Sequence, residues 1–225
     1  MNKPKQLTFP WSKPNKSNFN EYYFDKSNEE LKSKILEHED IVVYGIKKTG
    51  KTYLLQSLCN YYAKKNKTSL FIPLAEVSSL DTSIFDSIEN MDIICIDDMD
   101  SIKGRNEWEI ALFNLINNSL LSGCRLVFSS SENPTSINFS LSDLDSRVRK
   151  INGAEVHPIS DAKLQDAVKE ISQLRSIRLG EKELNYLITY TERSIHSLID
   201  ILNKLDDLSI EQKRKITIPL IKEVI

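Results

Sequence analysis

Glycine is scarce in this chain of 225 residues, which holds only six, whereas average usage of about 7% would give roughly sixteen. Collagen-like and glycine-rich low-complexity structures are therefore excluded. A large excess of one charge is also missing, because 30 basic residues face 32 acidic ones and leave a net charge of −2. The overall charge gives no reason to expect binding to nucleic acid or to an anionic membrane, although a local basic patch is compatible with it.

Cysteine, histidine and long apolar runs are also sparse. The three cysteines, Cys59, Cys95 and Cys124, form no C-x-x-C pair, which favours a reducing compartment over a disulfide framework or a zinc site. The three histidines lack metal-ligand spacing. No apolar run approaches the roughly 18 residues of a membrane-spanning helix, and no long apolar stretch follows Met1. We therefore expect a cytoplasmic protein without a signal peptide or membrane contact.

The remaining composition, 40% hydrophobic and 28% charged, is typical of a globular chain with a substantial core. Three prolines among lysine, asparagine and serine predict a flexible tail over residues 1–20. Strand-like runs that alternate with helical periodicity predict an α/β domain over 21–158, and helical periodicity alone predicts a small helical domain over 159–225. The expected strands are 41–44, 69–72, 93–96, 125–128 and 154–157, and a capping box at 27–30 predicts the helix before the first of them. Strands and helices in this order favour a five-stranded parallel sheet flanked by helices.

Two of the six glycines lie in one motif, Gly45-Ile46-Lys47-Lys48-Thr49-Gly50-Lys51-Thr52, which matches G-x-x-x-x-G-K-[ST]. It follows a predicted strand and opens a predicted helix, as a P-loop does. Such a loop cradles phosphates with its backbone N–H groups, its lysine reaches the terminal phosphates and its threonine hydroxyl can ligate Mg²⁺. The expected nucleotide-binding residues are Gly45, Lys48, Thr49, Gly50, Lys51, Thr52 and Tyr53.

A pair of carboxylates ends the third predicted strand. Asp97 stands where a Walker B aspartate would hold Mg²⁺ near the loop, and Asp98 stands where related ATPases place a glutamate that polarises the attacking water. Because aspartate is one methylene shorter, we expect slow hydrolysis at most. The alternative is two solvated acids that merely cap a strand.

Polar residues also follow the fourth predicted strand. Ser129, Ser130 and Ser131 could sense the γ-phosphate at the same sheet edge, while an ordinary polar turn is the alternative. Asn203-Lys204-Leu205-Asp206 matches the guanine-reading N-K-x-D. We reject that interpretation because the motif lies within an apolar helical stripe and not in a loop after a strand.

Together these residues resemble the DnaA clade of AAA+ ATPases and, within it, the family of DnaA regulatory inactivators (Hda). The P-loop, Ile93–Asp98, the serine strand, Leu141–Arg147 and the helical end of the chain carry the resemblance, which runs from residue 6 to the C-terminus and includes the lid-like tail Gln212–Pro219. The resemblance implies an AAA+ P-loop domain followed by a helical lid. It also implies that the helix-turn-helix DNA-binding domain of DnaA is absent, so no sequence-specific DNA binding is expected.

The resemblance further implies two partners. Gln6, Leu7, Phe9, Pro10 and Trp11 resemble the hexapeptide with which this family binds the bacterial sliding clamp, the β subunit of DNA polymerase III. A short extended peptide of this kind can fill an apolar groove, and the alternative is a tail that folds onto its own domain. Arg147 matches the arginine finger that acts in trans on ATP held by DnaA, whereas the residues alone, with Arg149 and Lys150 nearby, favour an ordinary basic surface cluster.

One lid position departs from the family pattern. The sensor 2 arginine is replaced by His196, and Arg193 lies one helical turn earlier. Histidine lacks the bidentate fork of arginine, so we expect the protein to have weak ATPase activity or none. The expected ligands are ADP or ATP with Mg²⁺. The resemblance implies that ADP is the main bound nucleotide.

The leading hypothesis is thus a negative regulator of replication initiation that stimulates hydrolysis of DnaA-bound ATP. The leading hypothesis is compatible with a homodimer or homo-oligomer. A helicase-loader-like AAA+ ATPase, which would need self-assembly and its own hydrolysis, is the alternative, and a small-molecule P-loop kinase is a third. The clamp-like peptide argues against the second and the lid-like helices against the third.

Overall fold

A computed structural model describes residues 17–77 and 79–225 of the chain. The predicted clamp-binding residues Gln6, Leu7, Phe9, Pro10 and Trp11 lie outside these ranges. Residues 17–20, assigned to the tail from the sequence, are part of the folded region. Phe19 is buried against the rings of Phe24 and Tyr61, and Asn60 donates a 2.7 Å hydrogen bond to the Ser17 carbonyl.

The strands within the described residues form one parallel sheet, as the sequence predicts. They are β1 (Ile41–Tyr44), β2 (Ser69–Pro73), β3 (Ile93–Asp97), β4 (Arg125–Ser130) and β5 (Asn152–Glu155). The spatial order is β2-β3-β4-β1-β5, so β1, which leads into the P-loop, lies between β4 and β5. Because parallel strands end at one edge, the segments after β1, β3 and β4 lie side by side there.

Helices cover both faces of the sheet and build the C-terminal domain. They are α1 (Glu29–Leu36), α2 (Lys51–Lys64), α3 (Leu74–Val77), α4 (Asn106–Ser122) and α5 (Ser142–Val148), followed by α6 (Asp161–Leu174), α7 (Glu181–Tyr190), α8 (Ile195–Glu211) and α9 (Ile218–Lys222). Single 3₁₀ turns occupy Phe19–Glu21, Lys26–Asn28, Thr82–Phe85, Ile88–Asn90 and Met99–Ile102. None of the helices in the described part of the chain has both the length and the apolar character to cross a bilayer.

The strands bury both faces because successive side chains point in opposite directions. In β3, Ile94 and Ile96 pack into the core beneath α4, while Ile93 and Cys95 pack into the core beneath α2. A third, separate core holds α6 to α9 together. The structure therefore has an α/β layer and a helical lid, each with its own apolar core.

Two local predictions differ from the structure. The fifth strand covers Asn152–Glu155 and not 154–157, because these residues pair with β1 and Val156 adds only one further hydrogen bond, to Tyr44. The capping box at 27–30 does not form. The Asp25 carboxylate instead accepts the hydrogen bonds of Asn28 N–H and the Ser27 hydroxyl, so the preceding turn and not Ser27 starts the helix.

Candidate functional site

The loop between β1 and α2 has the backbone conformation of a phosphate cradle. A Cβ at Gly45 would lie 2.5 Å from the Val156 carbonyl oxygen, so only glycine fits there. Lys48 and Gly50 adopt left-handed conformations, with φ of 66° and 91°. These turns bring the loop around the N-terminus of α2, where unpaired N–H groups and the helix dipole attract anions.

Lys51 occupies the centre of this loop. Its side chain is buried, and its ammonium donates to the carbonyl oxygens of Gly45 at 2.7 Å and Ile46 at 2.9 Å. Burial lowers the pKa of Lys51, which the nearby Asp98 and Asp97 partly oppose. A cation held by neutral carbonyls beside a helix N-terminus can exchange these partners for phosphate oxygens.

Asp97 lies at the end of β3 beside the loop, as predicted. It is only 4% exposed, it accepts a hydrogen bond from the Ser129 hydroxyl, and it is hydrogen-bonded to Thr52. Burial raises the pKa of Asp97, and these two hydrogen bonds and Lys51 act in the opposite direction. The two predicted magnesium ligands, Thr52 and Asp97, are therefore in contact.

Asp98 follows in a left-handed conformation with φ of 53° and lines the pocket beside the P-loop. Burial raises its pKa, and the neighbouring Asp97 and Asp100 raise it further. Its N–H donates to the Ser129 hydroxyl at 2.8 Å. Asp98 thus lies on the cavity wall near Lys51, whose charge acts to lower its pKa.

The three serines after the fourth strand have different surroundings. β4 continues to Ser130, so Ser129 and Ser130 belong to the strand and are fully buried. Ser129 joins Asp97 to Asp98, whereas the Ser130 carbonyl accepts the N–H of Gly45 at 3.2 Å. Ser131 lies farther along and bonds to Asp100 through its N–H and its hydroxyl. Asp97 and Asp98 form an acidic edge at the end of β3, and Ser129 is the serine that contacts both of them.

A cavity of about 720 Å³ lies between the P-loop, the 17–28 segment and the lid. Its lining includes Lys51, Asp98, Tyr22, Tyr53 and Arg175. The Tyr22 ring lies 3.5 Å from the position a Cβ would take on Gly50, so the N-terminal segment closes one side of the loop. The volume is within the usual range of small-molecule sites.

The two predicted lid residues differ in position. His196 lines the cavity and its Nε2 lies 3.5 Å from the Asp200 carboxylate, whereas Arg193 is exposed and is not part of the lining. Next to Arg193, Glu192 forms a 2.7 Å ion pair with Lys48 of the P-loop. The lid therefore reaches the loop through Glu192, a residue that the sequence did not single out.

Arg175 is the second residue that the sequence did not reveal. It follows α6 and donates to Glu21 at 2.9 Å, to Asn203 at 2.7 Å and to the Tyr53 hydroxyl at 2.9 Å. The network joins the N-terminal segment, the P-loop helix and α8. Asn203 belongs to the rejected N-K-x-D match, and its role here is to accept this hydrogen bond. No local sequence signal marks Arg175, because its partners are far away in the chain.

Arg147 lies in the last turn of α5, outside the cavity. Its side chain is exposed and forms no ion pair with the residues that the structure describes. Its neighbour Arg149 is held by Asp145 at 2.6 Å and by Asn138 at 2.9 Å. Within the basic cluster, Arg147 is thus presented to solvent while Arg149 is engaged.

The oxygen ligands beside the P-loop suit the binding of a nucleotide together with Mg²⁺. Within 17–77 and 79–225, no group of three or more His, Cys, Asp or Glu side chains could hold a metal by itself. Mg²⁺ in nucleotide sites uses only one or two protein oxygens, and phosphates and waters supply the rest. Thr52 and Asp97 provide that number at the mouth of a cradle that a Cβ on Gly45 would disrupt.

Comparisons with known proteins agree with this geometry. The family model of the bacterial DnaA ATPase domain matches residues 20–153, and that of the Hda lid domain matches residues 161–225. An uncharacterised protein of Haemophilus influenzae is 30% identical over 184 residues, which cover 81% of this chain and 80% of that protein.

Solved structures show the same fold. Domain III of DnaA from Thermotoga maritima superposes with a TM-score of 0.71 at 20% identity and covers 93% of this chain and 97% of that one. AMPPCP-bound DnaA from Aquifex aeolicus gives 0.68 at 17% identity over 87% of this chain and 67% of that one. A RuvB variant from Thermotoga maritima gives 0.57 at 17% identity over 92% and 71%. The chain belongs to the bacterial DnaA ATPase-domain family, within the DnaA clade of AAA+ proteins, and carries a lid domain of the Hda type.

Proposed function

We propose that this protein is a nucleotide-binding regulator that inactivates the replication initiator DnaA. In this proposal a peptide at residues 6–11 binds the sliding clamp, and Arg147 completes the ATP site of a DnaA molecule so that its ATP is hydrolysed. The observation that carries the proposal is the exposed Arg147, which lies outside its own cavity on a DnaA-type core with an Hda-type lid.

Nucleotide binding is the first step of the proposal. The P-loop backbone and Lys51 would hold the phosphates, Thr52 and Asp97 would hold Mg²⁺, and Tyr22, Tyr53 and Arg175 line the remainder of the cavity. The AMPPCP-bound DnaA structures support this assignment, since they share the fold. Mg²⁺ would neutralise phosphate charge at this edge.

We expect the protein's own hydrolysis to be slow. Asp98 is shorter than the usual glutamate, and His196 has Asp200 as its partner and lacks the two parallel donors of arginine. A site that binds nucleotide and turns it over slowly suits a regulator whose bound nucleotide is mainly ADP, as proposed.

The proposed action on DnaA uses Arg147 in trans. An arginine that stabilises the developing charge on the transferred phosphoryl group raises hydrolysis by about 10³–10⁵-fold in known systems. The side chain of such a residue has to project from the surface of its own domain into the nucleotide site of a neighbouring molecule. Arg147 meets this requirement because it is exposed and has no ion pair in the described part of the chain.

The test is a reconstitution with DNA-loaded clamp and ATP-bound DnaA, in which conversion of ATP to ADP is followed. Wild type should stimulate conversion, Arg147→Ala should abolish stimulation and Gln6→Ala should weaken it through loss of clamp binding. Lys150→Ala, which removes an exposed positive charge near the same helix end, is the matched control and should behave as wild type.

The outcomes separate the parts of the proposal. Without stimulation by wild type, the regulatory function is wrong. Stimulation that survives Arg147→Ala removes the finger assignment alone, and stimulation that is unchanged by Gln6→Ala removes the peptide assignment alone.

A further inference from the structure

Glu109, in the first turn of α4, is a fully buried carboxylate. It forms no ion pair with the described residues. Its charge is compensated by backbone groups: Oε1 accepts the N–H of Gly104 at 2.7 Å and of Ser140 at 3.2 Å, and Oε2 accepts the N–H of Leu141 at 2.6 Å. Three donors around one side chain suit an ionised carboxylate, which only accepts hydrogen bonds.

The first of these donors belongs to the loop that follows the acidic edge. Asp97 and Asp98 lead into the 3₁₀ turn Met99–Ile102, and Gly104 ends this segment with φ of 78°. No atom lies within 4 Å of the position a Cβ would take on Gly104, so the glycine is needed for its backbone angle and not for space. That angle directs its N–H to Glu109.

The other two donors belong to the start of α5. Leu141 is the N-cap residue of this helix and has no side-chain cap of its own. Its N–H is fixed by Glu109, and its carbonyl accepts the N–H of Asp145 within the helix. Arg147 lies two residues beyond Asp145 in the same helix. Glu109 therefore links the N-terminus of α5 to the loop after Asp97–Asp98, and Leu144 and Val148 pack the rest of the helix into the core.

We propose that Glu109 is a positioning residue for Arg147. By joining the loop after Asp97–Asp98 to the N-terminus of α5, it holds the arginine at the height and angle at which it enters the neighbouring site. The inference depends on the proposed function, since it concerns the same reaction. It adds a residue that touches neither nucleotide nor DnaA-bound phosphate.

Glu109→Gln is the sharpest test because it preserves shape but replaces one acceptor with an NH₂ group. That group would face the N–H of Leu141 or those of Gly104 and Ser140, so in either orientation one N–H of the segment before α5 loses its acceptor. A displacement of about 1 Å at a catalytic group can lower a rate by about 100-fold. We expect stimulated DnaA-bound ATP hydrolysis to fall by about 10- to 100-fold. The affinity for fluorescent ADP should stay within about twofold, because the P-loop and Lys51 are untouched.

Two comparisons distinguish positioning from general destabilisation. Glu107→Gln changes an exposed glutamate on the same helical turn and should retain full stimulation. Glu109→Asp keeps the charge but shortens the reach, and should recover part of the lost activity. In an Arg147→Lys variant, which keeps a weak finger, Glu109→Gln should lower stimulation by a smaller factor than it does in wild type. The reason is that both changes act through the same side chain.

Amide hydrogen exchange provides a readout that is independent of DnaA. Glu109→Gln should speed exchange at Leu141 and along α5 while residues 41–64 remain protected. Unchanged exchange in α5, wild-type stimulation by Glu109→Gln, or loss of ADP binding together with general loss of protection would each overturn the proposal. If wild type fails to stimulate DnaA, the regulatory function fails, whereas the exchange experiment still decides whether Glu109 fixes α5.

Discussion

At the scale of single residues, the site holds charges that lack a counter-charge in direct contact. Lys51 donates to neutral carbonyls, and burial shifts its pKa downwards, which means that the folded chain disfavours the ammonium. Asp97 is disfavoured as a carboxylate for the same reason. Groups that cost folding free energy and lie together at a cradle are placed for a ligand and not for stability.

Lys51→Ala separates these two roles. We expect nucleotide affinity to fall by about 100-fold, which corresponds to about 2.7 kcal/mol, since a charge-assisted contact to phosphate is lost. The free energy of unfolding without nucleotide should not fall, because a buried cation is removed. Equilibrium binding of fluorescent ADP and urea unfolding measure the two quantities. Lys64→Ala, at the other end of the same helix, serves as the control, and a parallel loss of binding there would contradict the assignment.

The acidic edge predicts a pH dependence. Because the pKa of Asp97 is higher in the folded chain than in the unfolded chain, the folded state binds this proton more readily. Its contribution to the free energy of unfolding therefore rises as pH falls through the folded pKa. Asp97→Asn should stabilise the nucleotide-free protein at pH 7 relative to wild type and flatten this dependence between pH 7 and 4.

Metal-dependent nucleotide binding should change in the opposite direction. It is lost as pH falls through the pKa of Asp97, since a protonated carboxyl no longer ligates Mg²⁺, and it is lost at all pH values in Asp97→Asn. Thermal unfolding and ADP binding with and without Mg²⁺ test both statements. The exposed Asp143→Asn should leave both profiles unchanged. A destabilised Asp97→Asn at pH 7 would show that the hydrogen bonds from Ser129 and Thr52 outweigh burial.

At the scale of elements, the sequence predicts those strands and helices that have a clear local pattern of apolar residues. Continuous apolar runs identify β1, β3 and β4, and the P-loop motif fixes where α2 begins. The edge strand β5 is displaced by two residues because Gly153 and Asn152 have little strand character, and their pairing with β1 is decided by tertiary contacts. The short helix α5 escapes prediction because seven residues give too few turns for a periodic signal.

The junction of β1 and the P-loop yields a test at the same scale. Gly45→Ala places a methyl group 2.5 Å from the Val156 carbonyl oxygen, so the segment after β5 has to move. We expect a loss of about 2 kcal/mol in the free energy of unfolding. Gly123→Ala is the matched control, because Gly123 ends α4 with φ of 77° but has no atom within 4 Å of its Cβ position.

For the control we expect about 1 kcal/mol, from backbone strain alone. Urea unfolding of both variants measures the difference. Equal losses would show that Val156 relaxes without cost and that close approach does not determine the glycine at position 45.

At the scale of the whole molecule, the cavity depends on how the lid sits on the α/β layer. The sequence predicts the P-loop, the acidic edge and Ser129 because each follows a recognisable strand. It does not predict Arg175 and Glu192, because their contacts are with residues in other elements that are distant in the chain. Both residues form ion pairs between lid and core, but in very different environments.

The Arg175–Glu21 pair is largely buried, with 10% and 16% of the side chains exposed, whereas in the Lys48–Glu192 pair more than half of each side chain is exposed. Removing one member of a buried pair leaves the other uncompensated and costs about 3 kcal/mol, while an exposed pair contributes about 0–1 kcal/mol. The buried network therefore dominates the docking of the lid.

Arg175→Ala should consequently destabilise the protein by about 3 kcal/mol, because Glu21 loses its counter-charge and Asn203 loses the arginine donor. It should also raise the nucleotide dissociation rate by about tenfold, equivalent to about 1.4 kcal/mol, since the lid side of the cavity loosens. Glu192→Gln removes the exposed pair and should change either quantity by less than about 1 kcal/mol. Thermal unfolding and stopped-flow release of fluorescent ADP measure both. If Glu192→Gln accelerates release as much as Arg175→Ala does, the exposed pair at the P-loop, and not the buried arginine, controls lid opening.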